Sequence, residues 1–358
     1  MPSKTQSLVK RTDPSEKLLT DLRTLITEAR QDVARSVNSA LVMLYWKVGQ
    51  RIRKDILKEE RADYGEQIVA TLSRKLVEEF GTGFRQRNLA NMIRFAEVYP
   101  DPKILHALRA KLSWTHFRLI IYLDEPLKRE FYAEICRLEG WSTRTLEKKI
   151  GSMLFERTAL SRKPAELAKQ ELAALRDEDR LTPDLVFRDP YFLDFLGLKD
   201  TYSEKDLETA ILKEMEAFIM ELGVGFSFLA RQKRITVDDT DYYLDLLFFH
   251  RKLRRLVAIE LKMGKFRAAD KGQMELYLRW LEKYEQQEEE ESPIGLILCA
   301  GKSEEHVELL QLERSGIRVA EYMTELPPRE LLQKKLHEAI VLARSRLEQK
   351  KQQKLLGE

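Results

Sequence analysis

Three ionisable residues in the second half of the chain have the types and spacing needed for metal-dependent chemistry. Asp245 lies in the segment TDYYLDLLFFH, while Glu260 and Lys262 lie in RRLVAIELK. Both segments are rich in aliphatic, aromatic and β-branched residues, and a short basic stretch separates them. This pattern predicts an antiparallel hairpin of two strands.

The register of this hairpin would bring the ionisable side chains together. If the chain turns at Lys252 and Leu253, Asp245 lies directly across from Glu260, and Lys262 shares the face of Glu260 because it is two residues away. Like charges placed opposite each other destabilise a sheet and are costly to bury, so a bound divalent cation is the simplest compensation. Oxygen ligands without Cys or His favour Mg²⁺ or Mn²⁺ over zinc.

A further carboxylate precedes the hairpin. Ser203 begins a capping-box pattern and Gly223 follows the last apolar residue, which predicts a helix over residues 204–222. Glu208 lies in line with the apolar stripe of this helix, where a carboxylate requires an explanation. It could belong to the metal site, or it could be a first-turn Glu that the helix dipole stabilises.

The composition indicates a cytoplasmic protein of more than one domain. The chain has 358 residues, of which 43% are hydrophobic, and this is enough for two cores. No apolar run is long enough for a transmembrane helix and the N-terminus lacks a signal-peptide pattern, so no membrane association is expected. The two cysteines are far apart in apolar surroundings, which is typical of reduced core residues.

The charge is distributed unevenly. Residues 1–165 contain 31 Lys and Arg against 21 Asp and Glu, whereas the remainder contains 31 against 38. A basic first half is expected of a module that binds phosphates, although a helical domain with a solvated charged surface would look the same.

The basic half reads as helical. Residues 16–58 have apolar positions at helical spacing, which predicts one or two helices, and residues 66–99 have the outline of a helix-turn-helix with glycines in its turn. The second helix of that outline turns its apolar positions inward, and an ordinary helical hairpin remains the alternative to a DNA contact. The candidates for its outer, nucleic-acid-binding face are Arg85, Arg87, Asn88, Asn91 and Arg94.

A weak internal repeat adds one more candidate. Residues 83–89 and 140–146 share the pattern Gly-aromatic-x-x-Arg-x-Leu, which places Arg144 at the position of Arg87. The repeat either marks two similar helix-turn-helix units or a recurring way of starting a helix.

The domain boundaries follow from these patterns. We predict a helical, DNA-binding domain over residues 15–163, a charged helical linker over 164–182 and an α/β domain over 183–350. In the α/β domain the order is helix, three strands, helix, strand, followed by a further helix and strand. A C-terminal helix over 328–350 carries an apolar stripe that could pack on the core or form a homo-oligomer, as could the helical domain.

The hairpin motif resembles that of the PD-(D/E)XK nucleases, with Asp245, Glu260 and Lys262 on the three named positions and Leu244 where the motif has Pro. Longer segments, among them LVMLYWKVGQRI, GTGFRQRNLANMIRFAEVYP and DPYFLDFLGLKDTYSEKDLETAILKEMEAFIMELGVGFSFLARQKRI, resemble the YhcG-type family of bacterial nucleases. The resemblance covers roughly residues 18–346. It implies a restriction-endonuclease-like fold behind a helical domain.

The resemblance also implies roles for two residues outside the hairpin. Enzymes of this class often carry a Glu on the first core helix that faces the metal, and Glu208 matches that position. Where a helix follows the motif Lys, a Gln on it commonly supports the site, and Gln273, four residues before Tyr277, matches this arrangement.

These observations lead to one functional expectation and one alternative. We expect Mg²⁺- or Mn²⁺-dependent hydrolysis of phosphodiester bonds, in DNA or alternatively RNA, with Asp245, Glu260, the Leu261 carbonyl and Glu208 as candidate metal ligands. Lys262 would stabilise negative charge or orient water, and Gln273 would support the site. The alternative is a non-cleaving nucleic-acid-binding or assembly subunit of a DNA modification, defence or recombination system.

Overall fold

A computed structural model of the chain describes residues 14–56, 62–198 and 201–356. The described chain divides into two compact units. The described residues of the first lie within Met1–Asp124 and Ile135–Thr143, and those of the second lie within Glu125–Glu134 and Arg144–Glu358. None of the described helices is both long and apolar enough to cross a membrane.

The first unit is helical, as the apolar spacing predicts. Its helices are α1 (Pro14–Ile56), α2 (Ala62–Phe80), α3 (Gln86–Val98), α4 (Pro102–Leu108), α5 (Trp114–Ile120) and the C-terminal part of α6 (Pro126–Glu139). A 3₁₀ turn, Thr82–Phe84, joins α2 to α3 and follows Gly81, whose φ of 88° is in the left-handed region. This region favours glycine, which explains the residue at the end of α2.

The core of the first unit forms where α1 packs on α3. Tyr45 and Ile52 from α1 and Leu89 and Met92 from α3 are buried in one cluster. Gly49 permits this packing, because a Cβ atom at that position would lie 1.8 Å from the backbone oxygen of Met92. The earlier part of α1 carries apolar side chains that are exposed: Leu22, Leu25, Ile26, Val33 and Val37.

The second unit has a mixed sheet flanked by helices. The helices are α7 (Thr143–Gly151), α8 (Leu154–Arg157), α9 (Ala165–Glu178), α10 (Pro183–Val186), α11 (Glu204–Lys213), α12 (Met215–Leu222), α13 (Ala268–Tyr284), α14 (Glu304–Leu309) and α15 (Arg329–Leu356). The strands are β1 (Tyr191–Phe192), β2 (Phe226–Val237), β3 (Thr240–His250), β4 (Arg255–Lys265), β5 (Ile294–Gly301) and β6 (Ile317–Met323).

The six strands lie in the order β1-β6-β5-β4-β3-β2. The strands β2, β3 and β4 pair antiparallel, whereas β4, β5, β6 and β1 pair parallel. Helix α13 crosses over between β4 and β5 and buries Met274, Tyr277, Leu278 and Leu281 against the sheet. The antiparallel hairpin is therefore held against a buried parallel core.

Several predicted elements differ in detail from the structure. The helix expected over 204–222 is two helices, because Glu214 has non-helical backbone angles between α11 and α12. Strand β1 has only two residues and was not predicted, since so short a strand leaves no periodic pattern. The segment interpreted as a charged helical linker does contain a helix, α9, but its Ala168, Leu172 and Leu175 are buried.

The C-terminal helix packs within its own unit over the first half of its predicted stripe. Leu332 and Leu336 are buried in a cluster with Met153 and Phe192, and Ile340 is also buried. Leu347, at the far end of the stripe, is exposed. This packing gives the stripe a role within the second unit, and the homo-oligomer remains a prediction.

Candidate active site

The hairpin of β3 and β4 has the predicted register. His250 pairs with Arg255, and the ladder ends at the pair Leu246 and Ile259. Asp245 and Glu260 therefore occupy the next position along the two strands. Here the Asp245 side chain interacts with the neighbouring backbone, because its Oδ2 accepts a hydrogen bond of 2.8 Å from the Leu261 N–H.

Glu260 is buried, with only 5% of its surface exposed. Its Oε1 accepts hydrogen bonds from Lys262 Nζ at 3.0 Å and from Gln273 Nε2 at 3.3 Å. Its Oε2 has no hydrogen-bond partner among the described residues, although it is buried. Burial, reinforced by the charge of Asp245, raises the pKa of Glu260 to about 7. A buried carboxylate oxygen without a donor is costly unless a cation or proton satisfies it.

Lys262 is held in its charged form. Burial acts to lower its pKa, but the charge and hydrogen bond of Glu260, together with Glu204 and Asp245, outweigh burial, and the net pKa is raised. An ammonium group with a raised pKa keeps its proton near neutral pH. Lys262 is therefore suited to stabilising negative charge and not to removing a proton from water.

The Gln273 side chain is held in place by Tyr277, which lies on the same helix. Its Nε2 donates to Tyr277 Oη at 2.6 Å, and the Tyr277 hydroxyl donates in turn to the Tyr243 carbonyl at 3.3 Å. Gln273 and Tyr277 lie one turn apart on α13, so they share a helix face. The pair links this helix to strand β3 and to Glu260.

Glu208 on α11 also reaches the hairpin, by way of a residue that the sequence did not single out. Gln232 on β2 donates from its Nε2 to Glu208 Oε2 at 3.0 Å and to Asp245 Oδ1 at 2.9 Å. Burial and the nearby Asp245 charge raise the pKa of Glu208, and burial raises that of Asp245. This contact through Gln232 favours the metal-site interpretation of Glu208, which stays a prediction, over a first-turn Glu that only the helix dipole stabilises.

Glu204 is a second residue that sequence reasoning missed. It lies one turn before Glu208 on α11, and its Oε1 accepts a hydrogen bond of 3.2 Å from the Met263 N–H on β4. The spacing of four residues was the available signal, because residues four apart on a helix share a face. No comparable signal existed for Gln232, since its contacts depend on how two strands and a helix meet.

The oxygen atoms of this site fit a hard divalent cation. The buried Oε2 of Glu260 lacks a donor, and Asp245 and Glu208 supply further carboxylate oxygens. Within the described ranges, no group of three or more His, Cys, Asp or Glu side chains is close enough to form a metal cage by itself. Mg²⁺ is commonly held by one or two carboxylates with water completing its shell, so a full cage is not required.

The residues predicted to bind nucleic acid have varied environments. Arg85 and Arg87 at the start of α3 are exposed, as is Arg144 on α7, which belongs to the second unit. Asn88 is used internally: its Nδ2 donates to the Gly83 carbonyl at 2.6 Å, and its Oδ1 accepts from Trp114 Nε1 at 3.0 Å.

Two other residues of the predicted outer face of α3 are engaged within the first unit. Arg94 donates from Nε to the Ile121 carbonyl at 3.4 Å and pairs with Glu97. Asn91 is only 4% exposed, and its Oδ1 accepts from the Tyr122 hydroxyl at 2.6 Å. Its expected place on the outer face is wrong, because the segment after α5 covers this side of α3.

A mixed sheet that carries Asp on one strand and Glu-x-Lys on its antiparallel neighbour defines the PD-(D/E)XK class of nucleases. Residues 184–337 match the family described as the YhcG PDDEXK nuclease domain, and residues 21–157 match the DUF1016 N-terminal domain. The chain is 34% identical to "Putative nuclease YhcG" of Escherichia coli (strain K12), over 91% of this chain and 93% of that protein. The chain therefore belongs to the YhcG family, and the predicted fold class is confirmed.

Two solved structures are similar over a smaller region. A repair endonuclease from Pyrococcus abyssi matches with 24% identity and a TM-score of 0.25, over 36% of this chain and 50% of that one. EndoMS in complex with double-stranded DNA matches with 18% identity and a TM-score of 0.27, over 36% and 49%. The chain thus spans about half the length of each of these proteins.

Proposed function

We propose that this protein is a divalent-metal-dependent endonuclease that hydrolyses phosphodiester bonds in DNA. The observation that carries the proposal is the buried Oε2 of Glu260, which has no partner among the described residues and belongs to the residue next to Asp245 in the hairpin. A buried carboxylate oxygen in this position needs a cation or, without metal, a proton. Mg²⁺ or Mn²⁺ would satisfy it and would supply the chemistry that this class of nuclease performs.

The metal would be held by Asp245, Glu260 and the backbone carbonyl of Leu261, with Glu208 as a further ligand, direct or through water. When bound, such an ion lowers the pKa of a coordinated water and offsets charge on the scissile phosphate. Gln273 and Lys262 fix Oε1 of Glu260, which leaves Oε2 free for the ion. The ammonium of Lys262 would then stabilise the negative charge that develops on the phosphate.

DNA is proposed as the substrate because the first half of the chain is basic and exposes Arg85 and Arg87 at the start of α3. Guanidinium groups at a helix start can contact phosphates and base edges. We propose the helical domain over residues 15–163 as the DNA-binding part, joined through 164–182 to a nuclease domain over 183–350. The exposed Arg144 is a further candidate contact.

The test is cleavage of labelled duplex, nicked, forked and four-way-junction DNA in Mg²⁺, Mn²⁺ or EDTA, for the wild type and Glu260→Ala. We expect metal-dependent cleavage that EDTA and the substitution both abolish. A single-stranded RNA in the same panel separates the two polymers. Tight DNA binding without cleavage in either metal would overturn the proposal and would favour the non-cleaving binding or assembly subunit instead.

A further inference from the structure

Gln232 has a backbone conformation that is unusual for a residue within a strand. It lies in the middle of β2, yet its φ is 45°, in the left-handed region that non-glycine residues rarely adopt. Such a conformation is strained and persists only where the surroundings hold it, often at functional sites. The ladder pairs residues on either side of it, Arg231 with Leu246 and Lys233 with Leu244, so Gln232 faces Asp245 without a regular pairing.

The side chain of Gln232 contacts two acids of the site. Its amide nitrogen lies 3.0 Å from Glu208 Oε2 and 2.9 Å from Asp245 Oδ1, so one NH₂ group serves two carboxylates. A primary amide has two N–H donors, and both are used here. The amide carries no net charge, whereas the two acceptors are acids drawn from different elements, α11 and β3. The point between two carboxylates is also where a cation would be stabilised most.

A second observation shows that the amide does not satisfy the whole site. Glu260 Oε2 is buried and has no partner among the described residues, while Gln232 makes its contacts with the other two acids. The neutral amide thus lies between Glu208 and Asp245, but Oε2 of Glu260 has no positively charged hydrogen-bond partner among the described residues. A cation held near the three carboxylates would satisfy this oxygen.

We propose that Gln232 is a stand-in for the metal ion, a positioning residue whose amide holds Glu208 and Asp245 until a divalent cation takes its place between them. This inference rests on the proposed function, because it concerns the same site. Glu208 and Asp245 would hold the cation in place of the amide, and the Gln232 side chain would then release both carboxylates. Gln232 therefore sets how tightly the ion binds and does not itself take part in the reaction.

The expected effect follows from a binding cycle. The two amide hydrogen bonds stabilise the protein only before the cation binds, so removing them destabilises that state and leaves the bound state unchanged. Because a single hydrogen bond to a charged group contributes about tenfold or more, removal of the two should tighten cation binding by at least about tenfold. If Gln232 had a purely structural role, its substitution would instead lower the stability of the protein equally with and without the ion.

The test is calorimetric titration of the full-length protein with Mn²⁺, which has a readout independent of cleavage. Gln232→Met keeps the length of the side chain and removes both donors, and we expect it to bind Mn²⁺ at least about tenfold more tightly than the wild type. Gln311→Met is a matched control, because Gln311 is an exposed glutamine with a φ of 48° outside this site. Its Mn²⁺ affinity should equal that of the wild type.

A second variant keeps the inference falsifiable if Gln232→Met does not fold. Gln232→Lys places a permanent positive charge between the two acids, so it should melt at a higher temperature than the wild type in EDTA. It should also lose the rise in melting temperature that Mn²⁺ gives the wild type, since the ammonium competes with the ion.

The outcomes separate this inference from the proposed function. If the wild type binds Mn²⁺ and Asp245→Ala does not, but Gln232→Met binds no more tightly and Gln232→Lys still responds to Mn²⁺, the stand-in role is wrong and the metal site stands. If the wild type shows no Mn²⁺ binding that Asp245→Ala removes, the metal site itself is wrong and the proposed function fails with it.

Discussion

Asp245 Oδ2 accepts a hydrogen bond of 2.8 Å from the backbone N–H of Leu261, at the point where the ladder between β3 and β4 ends. The contact ties the first acid of the site to the peptide that follows the second, Glu260. It leaves Oδ1 of Asp245 for Gln232, and for a cation in the proposed mechanism. Two strands thus present two acids at a fixed separation, although like charges at such a position are unfavourable.

The charge of Lys262 should be required for cleavage and not for DNA retention. We expect Lys262→Met to lower the single-turnover cleavage rate by about 100-fold or more, because a charge that stabilises the transition state is lost. Lys265→Met is the matched control, since Lys265 lies on the same strand and is exposed. Equal losses of cleavage and of DNA binding in Lys262→Met would contradict the proposed division between a nuclease domain and a DNA-binding domain.

Glu260 should make the stability of the protein depend on pH when a chelator removes metal. Its folded pKa of about 7 is above that of an unfolded chain, so the folded protein holds a proton that the unfolded chain releases. This contribution is fully present below about pH 4 and is lost as the pH rises to about 7, a loss of about 3 kcal/mol in the free energy of unfolding.

The measurement is urea unfolding in EDTA across this pH range for the wild type and Glu260→Gln. The variant lacks the titrating group, so its stability relative to the wild type should increase with pH. If the two unfolding free energies stay parallel from about pH 5 to pH 8, the raised pKa of Glu260 is wrong.

The hydroxyl of Tyr277 should matter through Gln273. Tyr277→Phe removes the oxygen that accepts from Gln273 and donates to the Tyr243 carbonyl. We expect a loss of about 1 kcal/mol in stability from the hydrogen bonds and about a tenfold lower cleavage rate, because Gln273 is no longer held against Glu260. Tyr284→Phe, at an exposed tyrosine on the same helix, is the control and should change neither quantity.

Two exposed arginines should contribute to DNA binding by neutralising phosphates. For the double variant Arg85→Ala and Arg87→Ala we expect weaker DNA binding. If both arginines contact phosphates, the slope of log Kd against the logarithm of the salt concentration should be smaller by about 2. The matched control is the double variant Arg23→Ala and Arg30→Ala, which removes the same charge from exposed positions on α1. An equal change in both double variants, measured by fluorescence anisotropy at several salt concentrations, would show that only net charge matters.

The close approach of α1 and α3 should make Gly49 sensitive to substitution. A Cβ atom there would meet the Met92 carbonyl oxygen at 1.8 Å, so Gly49→Ala must push two helix backbones apart. We expect a loss of about 1–3 kcal/mol or more, seen as a lower melting temperature. Gly272→Ala on α13, where nothing lies within 4 Å of the added atom, should be neutral or slightly stabilising. A neutral Gly49→Ala would contradict the packing of α1 on α3.

Much of the nuclease fold was predictable because its patterns are local. Strands β2, β3 and β4 follow the predicted order, and the hairpin register follows from where the charged turn interrupts two apolar strands. That register is enough to place Asp245 next to Glu260. By contrast, no Gly or Pro marks the division of the helix at Glu214, so the sequence did not predict it. Strand β1 is too short to show an alternating pattern of apolar residues.

The sequence by itself determined the class of protein and the acids and lysine of its candidate site, because side-chain type and alternation along a strand are properties of the chain. Only the tertiary structure decided which polar groups those residues meet. The amide of Gln232 lies between Glu208 and Asp245, and the Glu204 side chain reaches the Met263 backbone, because separate elements converge there. The tertiary structure also decided the environment of Asn91. Helical periodicity predicted that this residue is exposed, but it is buried and accepts a hydrogen bond from Tyr122.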